Sequence, residues 1–193
     1  MLADNLRTEN FDVLTTLEPG GTPLGKRLRA VFLETEEKIA PLAELLLFAA
    51  DRAQHVEFLV KPAVAEGKIV ISDRYADATF AYQGAGRGFS ENTVNQIIEL
   101  ATGGLKPDLT LFFDLPVEEA LNRTMSRSSG GERKNRMDRE TGEFYTRVRQ
   151  AYLKIVEREP ERFRVVDATG STEEVHARVL EIATRFLSEK VKR

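Results

Sequence analysis

The sequence has 193 residues, and 41% of them are hydrophobic, which is enough for one domain with a substantial core and hardly enough for two. A formal net charge of −3 argues against binding of nucleic acid through a basic surface, and a sequence without cysteine excludes disulfides and thiolate metal sites. The apolar run at residues 42–50 is too short to span a membrane, so we expect a soluble, cytoplasmic protein with no membrane partner.

Hydrophobic periodicity and turn residues predict strands that alternate with helices. In chain order, the predicted elements are the end of a helix at residues 1–10, a strand at 12–17, helices at 23–34, 41–56 and 61–66, a strand at 68–72, a helix at 91–101, a strand at 109–113, helices at 117–125 and 143–157, a strand at 163–167 and a helix at 171–192. This order is typical of an α/β fold in which helices cover both faces of a parallel sheet. We predict a single domain over residues 1–193.

The most informative segment is Asp73-Arg74-Tyr75, which directly follows an apolar strand. Open α/β sheets bind their ligands at the carboxyl ends of their strands. An arginine there can hold a phosphate with two parallel hydrogen bonds, and an aspartate can face a metal. We expect the following residues, up to Gly84, to form a polar loop. The alternative is a strand cap with a surface ion pair.

Phe48 and Arg52 are four residues apart on a predicted helix and therefore share one face. A ring beside a guanidinium can stack on a flat base and hydrogen-bond its edge, although a core phenylalanine and a solvated arginine would have the same spacing. Arg29 is a candidate phosphate contact or ordinary helix surface. His55 and His176 lack metal-ligand spacing, and we expect no function for either.

Residues 126–139 combine clustered cations with glycine and serine. This composition favours a lid that closes over transferring phosphates, or else a solvated charged loop. Residues 20–26 have the Gly-x-x-x-x-Gly-Lys skeleton of a P-loop. Arg27 follows where a Ser or Thr hydroxyl is needed, and Pro23 removes one backbone donor, so we interpret this match as chance.

Taken together, these segments resemble bacterial thymidylate kinase, a nucleoside monophosphate kinase. The resemblance covers nearly the whole chain and is carried by ordered blocks: Glu18-Pro19-Gly20-Gly21-Thr22, residues 46–55, Asp73-Arg74-Tyr75 with Ala81-Tyr82-Gln83-Gly84, Pro107-Asp108-Leu109 before Asp114, Arg136 before Arg147-Val148-Arg149, and Val166-Asp167-Ala168.

The resemblance implies a P-loop kinase-like, three-layer fold, phosphorylation of dTMP to dTDP by ATP with Mg²⁺, and a homodimer. Phe48 would stack on thymine, and Arg74 would hold the dTMP phosphate. By resemblance, the catalytic residues are Asp73, Arg74 and Arg136; the substrate-binding residues are Glu18, Pro19, Arg29, Phe48, Arg52, Arg74, Thr79, Tyr82 and Gln83; the ATP-binding residues are Arg127, Arg133 and Ala168; and the metal ligand is Asp73.

One departure from the family is large. The family opens with a central strand and a Gly-x-x-Gly-x-Gly-Lys-[Ser/Thr] loop, roughly 15–20 residues that do not occur in this sequence. We therefore expect an N-terminally incomplete domain without its first strand and P-loop. The favoured hypothesis is a thymidylate kinase whose sequence starts at an internal methionine. The alternatives are an inactive dTMP-binding module and a kinase for another nucleoside monophosphate.

Overall fold

The computed structural model describes residues 1–35, 37–129 and 136–191, while the side chains of residues 34, 127–129, 139 and 191 lie outside the description. Helices and strands alternate along these ranges, so the predicted α/β class is confirmed. Within the described ranges, none of the helices combines the length and the apolar character needed to cross a membrane. In chain order, the elements are α1 (Leu2–Thr8), β1 (Val13–Leu17), α2 (Pro23–Glu34), α3 (Pro41–His55), a π-helical turn (Val56–Val60), α4 (Lys61–Ala65), β2 (Ile69–Asp73), α5 (Ala76–Thr79), a π-helical segment (Phe80–Gly86), α6 (Glu91–Thr102), β3 (Thr110–Asp114), α7 (Val117–Ser129), a 3₁₀ turn (Met137–Arg139), α8 (Gly142–Arg158), β4 (Phe163–Asp167) and α9 (Thr172–Val191).

The helix boundaries follow local capping chemistry. The Thr22 hydroxyl accepts a hydrogen bond from the Gly25 N–H at 3.0 Å, and Pro23 occupies the first turn of α2, where its missing N–H costs nothing. Ser90 caps α6 in the same way. Gly103 ends α6 with a φ of 57°, a left-handed conformation that glycine adopts without strain.

The four strands pair in parallel, as the alternating order predicts. Strand β1 pairs with β2, and β3 pairs with β4. The two pairs are separate two-stranded sheets, because no hydrogen-bonded ladder joins them among the described strands. The predicted parallel pairing is therefore present, but as two ladders rather than one continuous sheet. The predicted absence of a first strand and P-loop stays a prediction.

The register of β1 and β2 brings together the segments that follow the two strands. Leu17 pairs with Asp73 at the carboxyl end of this sheet, and the Glu18 N–H donates to the Asp73 carbonyl at 2.9 Å. The chain therefore leaves both strands at one point, so that Glu18 and Arg74 lie next to each other at this edge of the sheet.

The expected loop after β2 is wrong, because this segment is helical from Ala76 to Gly86. Its alanines favour helix, and Ala81 is fully buried in a cluster with three residues of α8. Gly86 is needed for close packing rather than for a turn: a Cβ there would lie 2.6 Å from the Phe144 ring. Packing against α8 therefore fixes the position of the polar residues on this segment.

The predicted lid at residues 126–139 overlaps two helical elements. Helix α7 extends to Ser129, so the backbone of the first four residues of this segment is helical. The 3₁₀ turn begins at Met137, next to Arg136. Residues 130–135, with Arg133, and the side chain of Arg127 lie outside the described residues.

Candidate active site

A concave pocket, partly open to solvent, lies between α3, the end of β2 and the helical segment that follows it. It brings together seven of the residues that the sequence predicts to bind substrate, although they come from three separate stretches of the chain. The lining residues are Glu18, Phe48, Arg52, Arg74, Ala78, Thr79, Tyr82, Gln83 and Met137.

Arg52 forms the buried polar wall of this pocket. Its side chain is only 2% exposed, and its guanidinium donates from Nε to Glu18 Oε2 at 2.8 Å and from Nη1 to Thr79 Oγ1 at 2.7 Å. Nη2 donates to the Tyr75 carbonyl at 3.1 Å. Three hydrogen bonds in three directions fix the plane of the guanidinium, and the Glu18 carboxylate balances its buried charge.

Glu18 has a second partner in His55, which is fully buried. His55 Nδ1 lies 2.7 Å from Glu18 Oε1, and Nε2 lies 2.7 Å from Thr16 Oγ1. An ionised carboxylate only accepts hydrogen bonds, so Nδ1 carries the proton, and in the neutral ring Nε2 accepts from the Thr16 hydroxyl. The histidine for which the sequence suggested no function thus contacts a residue of the pocket wall.

Asp51 holds the loop that follows β1. Its Oδ1 accepts from the Gly20 N–H at 3.1 Å, while Oδ2 is buried and has no hydrogen-bond partner within the described part of the chain. Burial, reinforced by the nearby Glu18 charge, raises the pKa of Asp51 to about 6. This carboxyl is therefore expected to ionise in mildly acidic solution.

Arg74 supplies the exposed cation of the site. Its backbone φ of 70° lies in the left-handed region, an unfavourable conformation for a non-glycine residue that is found at functional sites. The guanidinium carbon lies 4.8 Å from the centre of the Tyr82 ring, and Nη2 is 3.4 Å from the Tyr82 hydroxyl. The arginine is thus held against a tyrosine while its charge stays accessible from solvent. Asp73, the preceding residue, is also exposed.

Phe48 supplies the apolar wall. Its ring stacks on Phe32 with centroids 4.6 Å apart and an interplanar angle of 19°. Since Phe32 covers one face of the ring and Phe48 also lines the pocket, the other face is the one that a ligand can contact.

A buried charge cluster around Glu44 supports the opposite side of the pocket. Glu44 is 1% exposed. It accepts from Gln83 Nε2 at 2.9 Å, from Arg87 Nε at 3.1 Å and from Arg136 Nη2 at 2.5 Å. The cluster fixes Gln83, a pocket residue, and it joins α3 to the helical segment and to the end of the predicted lid.

Besides Asp73, the predicted site residues with described side chains that lie outside the pocket lining are Pro19, Arg29, Arg136 and Ala168. Arg136 is bound to Glu44, and its Nε donates to the Phe32 carbonyl at 3.0 Å. Arg29 donates to the carbonyl of buried Pro19 at 2.8 Å. Ala168 follows β4, and its N–H donates to the Asp114 carbonyl at 2.9 Å. These residues support neighbouring loops in this structure, and their predicted roles stay predictions.

Sequence reasoning missed Glu44, Asp51 and the contact made by His55. A signal for them does exist, since all three recur at helical spacing with Phe48 and Arg52 and therefore lie on one side of α3. Charged residues on the inner side of a helix are paired when buried. Their partners come from distant parts of the chain, which is why the pairing could not be read from the helix itself.

Comparison with known proteins identifies the family of this chain. The family model described as thymidylate kinase matches residues 1–179. A thymidylate kinase of Chlorobium luteolum is 45% identical over 99% of this chain and 90% of its own length, and one of Geotalea uraniireducens is 43% identical over 98% and 90%. The crystal structure of thymidylate kinase from Ehrlichia chaffeensis superimposes with a TM-score of 0.72 at 31% identity, covering 94% of this chain and 87% of that one. The chain therefore belongs to the thymidylate kinase family, whose members are phosphotransferases that act on dTMP.

Proposed function

We propose that this chain transfers the terminal phosphoryl group of ATP to dTMP, giving dTDP, and that the pocket of Phe48, Arg52 and Arg74 is the dTMP site. The observation that carries the proposal is the pocket itself. It joins an aromatic ring, a buried guanidinium and an exposed arginine in one concave site, which are the groups needed for a base, its polar edge and a phosphate.

The base would lie on the buried side of the pocket, beside Arg52, which is 2% exposed. Thymine would stack on the uncovered face of Phe48, with its polar edge toward Arg52 and Gln83. An arginine has five N–H donors, and the protein uses three of those on Arg52, which leaves two for a thymine carbonyl. The Gln83 side-chain amide donates a hydrogen bond to Glu44. Its carbonyl oxygen is therefore oriented away from that carboxylate and can accept from the N–H of the thymine ring.

The sugar and phosphate would lie on the exposed side, beside Arg74. Tyr82 would pack under the deoxyribose, where it would disfavour a ribose hydroxyl. Arg74, held over the Tyr82 ring, would bind the phosphate through two parallel hydrogen bonds.

The chemistry of transfer depends mainly on positioning and charge. Mg²⁺ in proteins is held through one or two carboxylates together with substrate phosphates, and the exposed Asp73 beside Arg74 fits that arrangement. No group of three or more acidic, histidine or cysteine side chains in the described residues suggests a metal site built from protein alone. When bound, Mg²⁺ would neutralise phosphate charge, with Asp73 organising the ion and its water.

The role proposed for Arg136 is to neutralise charge on the transferring group, and it requires the guanidinium to exchange Glu44 for the phosphoryl oxygens. On the ATP side, we propose that Arg127 and Arg133 contact phosphates from the lid at residues 126–139. Ala168, beyond the end of β4, would lie near adenine.

We further propose a homodimer located in the cytoplasm, formed by one domain over residues 1–193. Leu42 and Leu46 of α3 are about half exposed, at 52% and 51%, and their spacing of four residues puts them on one helix face. Burying such a face against a second copy is favourable.

The test combines calorimetry with a coupled assay of ADP formation on the whole chain. We expect dTMP to bind, and ATP-dependent turnover of dTMP to exceed that of dUMP, dCMP and dGMP in kcat/KM. A better rate with another nucleotide would overturn the substrate assignment. Binding of dTMP without any ATP-dependent formation of dTDP would instead support the binding-module alternative, which the comparisons do not favour.

A further inference from the structure

His55 does not line the pocket, but it forms a hydrogen bond with Glu18, a residue of the pocket wall. His55 is fully buried and is not among the lining residues, so it cannot touch a bound nucleotide. Its Nδ1 nevertheless lies 2.7 Å from Glu18 Oε1, while the other oxygen of the same carboxylate accepts from Arg52 Nε at 2.8 Å. The carboxylate is held between the imidazole and the guanidinium, one oxygen for each.

The proton arrangement on His55 follows from its two partners. Glu18 needs a donor at Nδ1, and the Thr16 hydroxyl at 2.7 Å can donate to Nε2. The second contact therefore stabilises the tautomer that the first one requires. A chain of hydrogen bonds therefore leads to the pocket, from Thr16 through His55 and Glu18 to Arg52.

The loop after β1 packs tightly against this chain of hydrogen bonds. A Cβ on Gly21 would lie 2.5 Å from Thr16 Oγ1 and 2.6 Å from His55 Cδ2, so only glycine fits against the ring. The Gly20 N–H is fixed separately by Asp51. The backbone around Glu18 is thus held without His55, which leaves the imidazole to orient the carboxylate.

We propose that His55 is a positioning residue for nucleotide recognition: through Nδ1 it fixes the Glu18 carboxylate, and Glu18 fixes the guanidinium of Arg52 in the plane that receives the pyrimidine edge. This inference rests on the proposed function of the pocket. Without the imidazole donor, Glu18 Oε1 loses its partner, and the carboxylate that sets the Nε direction of Arg52 is less firmly held. The expected effect is weaker binding of dTMP with little change in the intrinsic rate of transfer.

Two conservative variants separate positioning from packing. In His55→Asn the side-chain amide occupies the place of Nδ1 and can still donate to Glu18, whereas in His55→Gln it occupies the place of Nε2. Calorimetry should give a dTMP Kd close to that of wild type for His55→Asn and about tenfold higher for His55→Gln, the size of one hydrogen bond to a charged group. A purely structural role predicts losses that follow the melting temperatures of the two variants instead. His176→Gln, which changes a histidine bonded to Asn5, is the matched control and should bind dTMP normally.

A second experiment needs neither turnover nor a folded His55 variant. Nitrogen NMR of the isotope-labelled wild-type chain at neutral pH should show His55 as the Nδ1–H tautomer, and Thr16→Val should weaken dTMP binding by removing the hydroxyl that favours it. The Nε2–H tautomer in wild type, or unaltered dTMP affinity in both His55→Gln and Thr16→Val, would overturn the proposal. Failure of the wild-type chain to phosphorylate dTMP would count against the proposed function only, because the tautomer and the Kd are measured without ATP.

Discussion

Replacing Glu44 by glutamine removes the charge at the centre of a buried cluster while keeping the shape of the side chain. Each carboxylate oxygen accepts two hydrogen bonds: Oε1 from Gln83 and Arg87, and Oε2 from Arg87 and Arg136. Glutamine keeps one oxygen and presents an NH₂ group to donors at the other position. Two of the four hydrogen bonds are lost, and two arginines lose their common counter-ion.

The expected cost is about 3 kcal/mol of unfolding free energy. Removing one partner of a buried ion pair typically costs about 3–5 kcal/mol, and the lower end applies here because both arginines keep other partners. Arg87 also donates to Glu140 at 2.6 Å, and Arg136 donates to the Phe32 carbonyl. Against a typical net stability of about 5–15 kcal/mol, this loss is easily measured.

Urea unfolding at neutral pH checks the magnitude. Glu57→Gln is the matched control, since Glu57 is 62% exposed and pairs with Lys61 four residues on, and loss of this exposed pair should cost at most about 0.5 kcal/mol. A Glu44→Gln variant no less stable than the Glu57→Gln variant would refute the reasoning.

The difference in stability between wild type and Glu44→Gln should also depend on pH. Burial alone would raise the pKa of Glu44, but hydrogen bonds from Arg87, Gln83 and Arg136 outweigh it and hold the pKa below the ordinary value of 4.5. A carboxyl whose pKa is lowered by folding contributes stability above its unfolded pKa and loses it as the pH falls through the folded value. The difference between wild type and Glu44→Gln should therefore be constant at neutral pH and shrink below about pH 4.5.

Three further predictions concern the neighbouring residues. Arg74→Ala should lower kcat for dTMP by about 10²-fold or more, as expected for loss of a phosphate contact made during transfer; near-normal turnover in steady-state assays would contradict the assigned role. Asp51→Asn should gain stability relative to wild type as the pH rises from 3.8 to about 6, because the pKa of Asp51 is raised over this range on folding and the wild type loses stability across it. The full effect is about 3 kcal/mol, and a pH-independent difference in urea midpoints would argue against it. Gly21→Ala should lower the free energy of unfolding by about 1–3 kcal/mol because its added Cβ clashes with His55. Thermal unfolding measures this loss against the control Gly142→Ala, where the nearest atom lies 3.6 Å from the added Cβ, and equal melting temperatures of the two variants would count against the tight fit.

Much of this fold was predictable from local patterns. The strands and long helices follow from hydrophobic periodicity and capping residues, and the structure places all of them within a few residues of the predicted bounds, with Thr22 and Ser90 as caps. The seven pocket residues were predictable because the motifs that contain them are specific as an ordered set.

The features that local sequence patterns do not predict depend on tertiary contacts. The polar residues after β2 predict a loop, yet this segment is helical and packs on α8, where Gly86 lies against the Phe144 ring, a contact that local sequence does not reveal. The same is true of Glu44, whose partners Gln83 and Arg136 are 39 and 92 residues away in the chain. A buried charge looks like a surface charge until its partner is known.

A crystal structure of the chain with dTMP tests the central claim most directly. We expect the thymine ring stacked on Phe48, its polar edge at Arg52 and Gln83, and the phosphate within hydrogen-bond distance of the Arg74 guanidinium. A dTMP molecule bound elsewhere, or an Arg74 side chain turned away from the phosphate, would contradict the assignment of this pocket.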